Sequence, residues 1–434
     1  MKKIAIISHG CPKNLVDSEL MFGKLSSKGY EVTLDENDAD IVIVNTCSFI
    51  CDAEKESVHS ILENTSKGKK VIVTGCLAQK HSKDLKEAIP EIKAIVGTTD
   101  FDNIDKIIEK LDKEGFVEDV SATPEFIYPE TIKRQQITAG SSSYIKIADG
   151  CNYRCGYCII PYLRGDYHSR KMENIIQEAK ELAAKGVSEI ILIAQDTTSY
   201  GIDLYKKPML AELLKELNKI EDLRWIRFMY AYPTHITNEL LDTINNCEKV
   251  VKYLDIPLQH SHPEMLKAMN RPVSDYTELI KNIRNRVKDI SIRTAFIVGY
   301  PGETEEQFDH LCEFIKKNKF DRLGVFCYSR EKGTPSYSMK PQIPKKIAKA
   351  RYKKLMEIQQ EISYKRNKQF IGKKLPCIIE FVSDSGEAVA RTQYDAPEID
   401  GVVNIKTNKI LTPSEIENVK ITDCTTYDLI GEIL

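Results

Sequence analysis

The chain has 434 residues, with 62 Lys and Arg against 64 Asp and Glu for a net charge of −2, 42% hydrophobic residues and 12 cysteines. At about 100–200 residues per domain this is two to four domains, which excludes a disulfide-stapled miniprotein and a disordered chain. No apolar run approaches the ~18–20 residues of a membrane span.

The opening Lys2-Lys3-Ile4-Ala5-Ile6-Ile7 reads as a first strand rather than a secretory leader. The expected location is therefore the reducing cytoplasm, where cysteines serve as metal ligands, reactive groups or buried thiols rather than disulfides. Short β-branched runs at Ile4 to Ile7, Ile41 to Val44, Val71 to Val73 and Ala94 to Val96 alternate with helical stretches near 14–28, 52–66, 79–88 and 101–112. This alternation predicts a parallel α/β sheet domain over 1–120. A connector from about 118 to 140 carries Pro124, Pro129 and Gly140.

A second α/β pattern follows, in a domain expected over 137–370, with strands at 144–148, 189–194, 224–229, 253–257, 291–298 and 322–328. Helical stretches at 173–185, 209–219, 237–247, 274–288 and 304–317 separate them. Periodicity alone fits either an open sheet or a partial (β/α) barrel. Residues 340–371 read as a helix with ten Lys and Arg against two acids, a net +8. From 372 to 434 short alternating runs at 377–381, 388–392, 402–405 and 419–421 predict a small antiparallel β-barrel of the OB type, with a net charge of −5.

The densest chemical signal is Gly150-Cys151-Asn152-Tyr153-Arg154-Cys155-Gly156-Tyr157-Cys158. Three thiolates on one short loop can hold three irons of a cubane and leave the fourth iron open for a small molecule. A zinc site would want a fourth ligand nearby, and the nearest candidate is His168. A second set is dispersed: Cys11, Cys47 and Cys76 each follow a predicted strand of the first domain by two or three residues. Parallel sheets form their crevice at that edge, so these three are candidate ligands of a second cluster with its own open iron. Cys51 is either a spectator or an alternative ligand. Cys247, Cys312, Cys327, Cys377 and Cys424 are scattered singly and read as core thiols.

The Cys151 loop resembles the cluster loop of the radical S-adenosylmethionine superfamily. That resemblance implies that the open iron chelates the amino and carboxylate groups of S-adenosylmethionine, whose reductive cleavage yields a deoxyadenosyl radical. It places Tyr157 beside the adenine and makes Gln195 and Arg293 cofactor-pocket candidates, ordinary strand-end packing being the competing reading for the last two. The three-cysteine first domain, the radical loop and a terminal barrel of the TRAM type together resemble the methylthiotransferases over essentially the whole chain. The segments Gly10 to Glu19, Met229 to Pro233, Tyr253 to His260 and Tyr394 to Gly401 are similar to the branch that modifies an aspartate of small-subunit ribosomal protein twelve.

The resemblance implies two [4Fe–4S] clusters, two molecules of S-adenosylmethionine, and sulfur-donor and electron-donor proteins as partners, with no catalytic side-chain acid or base. The alternative within the family is a tRNA adenosine methylthiotransferase. A barrel built to hold tRNA should be basic. The −5 charge, with Asp395, Glu398 and Asp400 on the barrel, instead suits a basic ribosomal protein. The basic 340–371 segment is a candidate contact for ribosomal RNA or an ordinary solvated helix. A two-cluster electron carrier fits less well, since such carriers use four cysteines per cluster.

Overall fold

The computed structural model describes residues 2–433 apart from 49, 126, 127, 131, 138, 139, 384, 385 and 408, and apart from the side chain of Cys51. The chain divides into two compact units. One comprises residues 1–139, 148–154 and 158–168, and the other 140–147, 155–157 and 169–434.

The first unit runs β1 (Lys3–Ser8), α1 (Pro12–Ser27), β2 (Glu31–Thr33), β3 (Ile41–Thr46), α2 (Cys51–Ser66), β4 (Lys70–Gly75), α3 (Cys76–Ala88), β5 (Ala94–Val96), α4 (Ile104–Glu114) and β6 (Val117–Asp119). The six strands are parallel in the order β2-β1-β3-β4-β5-β6. Every residue of β3 is buried, which is why Ile41 to Val44 is an unbroken apolar run and not an alternating one. In α4 the buried Ile104, Ile107, Ile108 and Leu111 recur at helical spacing, and Gly115 at φ 74° follows its last turn. The strand order reverses between β1 and β3, so the loops after these two strands flank the topological switch point. The edge strands β2 and β6 are three residues each and largely polar, and they give no periodic signal in the sequence.

Chain order continues with β7 (Ser142–Lys146), β8 (Ala148–Asp149), α5 (Ile160–Arg164), β9 (His168–Ser169), α6 (Met172–Ala184), β10 (Glu189–Ile193), α7 (Ile202–Tyr205), α8 (Leu210–Leu217), β11 (Trp225–Phe228), α9 (Asn238–Asn246) and β12 (Tyr253–Asp255). Then come α10 (Pro263–Ala268), α11 (Tyr276–Arg286), β13 (Ser291–Val298), α12 (Glu305–Asn318), β14 (Arg322–Cys327) and α13 (Lys345–Lys368). Strands β7, β10 and β11 form one parallel sheet and β12, β13 and β14 another, joined through a parallel bridge between Ile226 and Val250. The six strands keep chain order without reversal. A (β/α) barrel winds that way and a doubly wound sheet does not, so the architecture is the partial barrel.

The terminal strands β15 (Lys374–Val382), β16 (Glu387–Thr392), β17 (Val403–Lys406), β18 (Ile416–Cys424) and β19 (Leu429–Ile433) close a barrel in the order β15-β16-β17-β19-β18. Its pairs are antiparallel except β17 with β19, which run parallel. Leu375, Cys377, Ile379, Ala390, Val403, Ile405, Val419 and Ile421 are among the residues filling the interior. Cys377 is thus a core thiol, raised to about 12 by burial and the nearby Asp395. The run 429–433 hides its strand character behind Gly431, where a Cβ would lie 2.4 Å from Val419 Cγ1.

Residues from β16 and the loop after it press on the amino-terminal ends of the partial-barrel strands, and the contacts are ionic. Arg391 donates to Ser142 Oγ (3.0 Å), Glu380 (2.7 Å) and Glu189, and Glu189 also accepts from Arg227 (2.8 Å). Arg322 Nε donates to Asp395 (2.7 Å), and Asp400 accepts from Tyr253 Oη (2.7 Å). Asp395 and Asp400, expected as a face for a basic partner, are therefore spent on this internal junction. Of the three acids only Glu398 is exposed. With Arg391, Asp395 and Asp400 set aside, the barrel still carries five basic against eleven less two, that is nine, acidic side chains.

Candidate functional site

Each thiol of the dispersed set is placed by a loop at the carboxyl edge of the first sheet. Cys11 caps α1 ahead of Pro12. Gly10, at φ +88°, lets this loop approach β3 so closely that a Cβ there would lie 2.6 Å from both Cβ and Sγ of Cys47. Cys47 follows β3, its amide donating to Ser57 Oγ (3.0 Å). Cys76 opens α3 after Gly75, whose φ of +90° brings β4 within 2.6 Å of the Thr46 carbonyl at the position a Cβ would take. Asn14 Nδ2 donates to the carbonyls of His9 (3.0 Å) and Thr46 (2.9 Å), and Asn45 Nδ2 returns a bond to the Asn14 carbonyl (2.8 Å). Backbone approach and amide cross-links thus gather three thiols from strands β1, β3 and β4, which are adjacent in the sheet.

The electrostatics differ between two of these thiols. Desolvation alone would raise a thiol, but at Cys11 the Lys13 and Arg164 cations and the amides of Asn14 and Lys13 outweigh it, and the thiol is lowered. At Cys76 desolvation prevails, with Cys11 adding to it against the pull of Arg164, and the thiol is raised. Arg164 itself was not singled out in the sequence. It is buried, with Nη1 at 2.8 Å from Asp149 and 3.2 Å from Asp17 and Nη2 at 2.6 Å from Asn14.

Among the described residues no three His, Cys, Asp or Glu gather tightly enough to share one metal ion. A cubane takes one thiolate per iron and needs no such convergence. Soft thiolates at the starts of α1 and α3, beside a buried guanidinium, fit an anionic iron–sulfur cluster. Substituting Gly10→Ala should push Cys47 aside and reduce bound iron from about eight to roughly four per chain. Iron analysis of the reconstituted protein checks this, and a full load would contradict it.

The second loop is held at both ends. Within the first unit, Gly150 at φ +77° faces the Asp166 carbonyl, which a Cβ would meet at 1.9 Å. Cys151 N donates to the Gly165 carbonyl (3.0 Å), and Arg154 bridges the Cys151 carbonyl and Asp166 at 2.9 Å each. Within the second unit, Gly156 N donates to the Met269 carbonyl (2.8 Å), and its own carbonyl accepts from Ser336 N (2.9 Å). A Cβ on Gly156 would lie 2.3 Å from Tyr300 Oη, so only glycine fits between Cys155 and Tyr157.

Tyr157 packs against a cluster of Met265, Met269, Ile297 and Tyr300. Gln195 stands two residues beyond β10, at the carboxyl edge, next to the buried Asp196. Asp196 is held below the usual carboxylate range despite desolvation, because His235, Ser199 and Thr198 bond to it. Arg293 is third in β13, near the barrel's amino-terminal end, with Nη1 on Asp255 (2.9 Å) and Nε 3.5 Å from Asp400. Its charge is thus shared between Asp255 of the neighbouring strand and Asp400 of the terminal barrel. Glu303, in the loop after β13, accepts from Gly299 N and Arg351 Nη1 (2.6 Å each) and lies 3.2 Å from His260 Nε2, which braces that edge against α13. Cys51 begins α2, and its side chain lies outside the described residues.

The sequence matches three family models: the Uncharacterized protein family UPF0004 over residues 3–97, the Radical SAM superfamily over 145–315 and the TRAM domain over 371–434. Among solved structures, the radical S-adenosylmethionine methyltransferase TsrM from Kitasatospora setae, with cobalamin and a [4Fe–4S] cluster bound, aligns with a TM-score of 0.56 at 16% identity, covering 77% of this chain and 73% of that one. The cobalamin-dependent enzyme OxsB aligns with a TM-score of 0.51 at 13% identity over 83% of this chain and 56% of its own. Both likenesses concern the fold alone. A protein of Thermoanaerobacter sp. (strain X514) called ribosomal protein uS12 methylthiotransferase RimO is 50% identical over 100% of both chains. A second of that name, from Synechococcus sp. (strain RCC307), is 46% identical over 99% of this chain and 90% of its own. With identity of this order along its whole length, the chain belongs to the RimO family of radical S-adenosylmethionine methylthiotransferases.

Proposed function

We propose that the protein transfers a methylthio group to the β-carbon of an aspartate of ribosomal protein uS12. The observation that carries this reading is the pair of three-thiol sets in one chain, Cys11, Cys47 and Cys76 at the first sheet's carboxyl edge and Cys151, Cys155 and Cys158 on one loop. When bound there, two [4Fe–4S] clusters and S-adenosylmethionine would supply the one-electron cleavage and the methyl group.

The chain's own residues orient and enclose. Gly150 allows close approach to the Asp166 carbonyl within the first unit, and Gly156 allows close approach to Tyr300 within the second. Tyr157 and Gln195 are proposed to line the adenosine end of the pocket. The networks of Asp196 and Glu303 keep the loops at the barrel's carboxyl edge from collapsing or opening to water. No side chain is asked to act as acid or base.

The reading needs a sulfur-donor and an electron-donor protein and is set in the cytoplasm. Among the described residues no helix is long and apolar enough to cross a membrane. A contact with ribosomal RNA is proposed for the start of α13, where Lys345, Lys346 and Lys349 are exposed. Farther along the helix Arg351, Lys354 and Arg366 are paired with Glu303, Asp309 and Asp321.

Offered uS12 and tRNA together with methyl-labelled S-adenosylmethionine, the reconstituted enzyme should place the label in uS12. Label confined to tRNA would overturn the substrate and leave the chemistry standing.

A further inference from the structure

The segment that leaves the second cysteine loop returns to the first thiol set. Ile159 and Leu163 form a buried apolar cluster with Cys76, and Thr98 Oγ1 donates to the Leu163 carbonyl. Six residues after Cys158, this strap places Arg164 beside the thiols. Its Nη2 reaches Asn14, three residues after Cys11, and its positive charge acts to lower both the Cys76 and the Cys11 thiol. It is held by two carboxylates, Asp149 at 2.8 Å and Asp17 at 3.2 Å, and by Asn14 at 2.6 Å, with its side chain 3% exposed.

A buried ion is costly to keep without a task. The reading of the two thiol sets assigns Arg164 none, since it touches neither the predicted adenosine end nor any strand junction. Its surroundings state what it does electrostatically. Reduction adds one negative charge to a cluster, and a buried guanidinium beside the ligand loops favours the reduced form, while Asp17 and Asp149 oppose it. Hydrogen bonds and charge at ligand sulfurs are established levers on cluster potentials.

We propose that Arg164 is a positioning residue that sets the reduction potential of the cluster held by Cys11, Cys47 and Cys76, with Asp17 and Asp149 as the counterweight that fixes it in place. The proposal rests on the assignment of a cluster to those three thiols, but not on the identity of the substrate.

The test is a potentiometric titration followed by electron paramagnetic resonance on the reconstituted full chain, with Cys47→Ala identifying the signal of the first cluster. Arg164→Gln should lower that cluster's midpoint by at least the equivalent of a tenfold change in its oxidised-to-reduced ratio, about 59 mV for one electron. The second cluster should stay where it is. Asp17→Asn removes a counter-charge and should move the first midpoint upward, and Arg164→Lys should retain most of the wild-type value. Should Arg164→Gln fail to hold the cluster, the opposite signs of Asp17→Asn and the retention in Arg164→Lys decide the matter. A shift in the same direction for Asp17→Asn and Arg164→Gln, an equal shift in both clusters, or no shift with full iron would overturn it. None of these readings needs uS12, so failure of the substrate assignment would show separately.

Discussion

Cys151→Ala is expected to lower deoxyadenosine formation from S-adenosylmethionine by more than about 100-fold, whereas Cys47→Ala should retain it and lose methylthiolation. Changes one shell out from a metal already cost about 10–100-fold, and loss of a ligand removes more. The two thiols sit on separate local frameworks. Cys151 is anchored to the Gly165 carbonyl by its amide and lies in the clamp that Arg154 makes with Asp166. Cys47 is anchored to Ser57 and pressed by Gly10. Removing one sulfur therefore leaves the other loop's backbone contacts in place. Chromatographic quantification of deoxyadenosine, alongside mass analysis of uS12, checks both halves. Equal loss of deoxyadenosine in the two variants would contradict separate roles for the two sets.

The second large effect concerns the junction between the terminal barrel and the partial barrel. Arg391→Met leaves the buried Glu189 with Arg227 as its one cation beside the Ser142 hydroxyl, and Glu380 without its partner at Nε, and it should destabilise this unit by about 3–5 kcal/mol. Arg391 is 1% exposed and Glu189 0%, so solvent screening discounts little of this. The double variant Arg391→Met with Glu189→Gln should recover much of the loss, because an absent pair costs less than a broken one.

A pH dependence follows with a definite sign. Desolvation would raise Glu189, but Arg227 and Arg391 outweigh it and hold the carboxyl below its ordinary value. A depressed carboxylate contributes stability above its unfolded pKa of about 4.3, and that stability is lost as pH falls through the folded value. Urea unfolding at pH 7 and at pH 3 should show the gap between wild type and Arg391→Met narrowing in acid. A gap that widens would contradict the assignment.

The features legible in the sequence were those written locally. Strands such as Ile41 to Val44 announce themselves by unbroken apolar runs, and three cysteines spaced within Cys151 to Cys158 lie on one loop whatever the fold. The dispersed thiols were legible because strand periodicity puts Cys11, Cys47 and Cys76 at equivalent ends of a parallel sheet. What escaped is carried by pairs remote in the chain. Arg164 meets Asp17 across 147 positions, and Arg391 meets Glu189 across 202. The pairing of Arg293 with Asp255 and Asp400 is also a fact of packing. Asp395 and Asp400 likewise count as acidic surface in a charge sum and as internal ion pairs in the fold. Strands β2, β6 and β19 were invisible because two are short and largely polar, unlike the equally short but apolar β5, and the third is interrupted by Gly431.

Methylthiolation of a ribosomal protein side chain by these two thiol sets leaves a direct chemical signature. Tandem mass spectrometry of uS12 after anaerobic incubation with the reconstituted chain, S-adenosylmethionine, a sulfur source and a reductant tests it most directly. One methylthio group is expected on the β-carbon of a single aspartate. Unmodified uS12, in a reaction where S-adenosylmethionine is cleaved and tRNA adenosine carries the methylthio group, would contradict it.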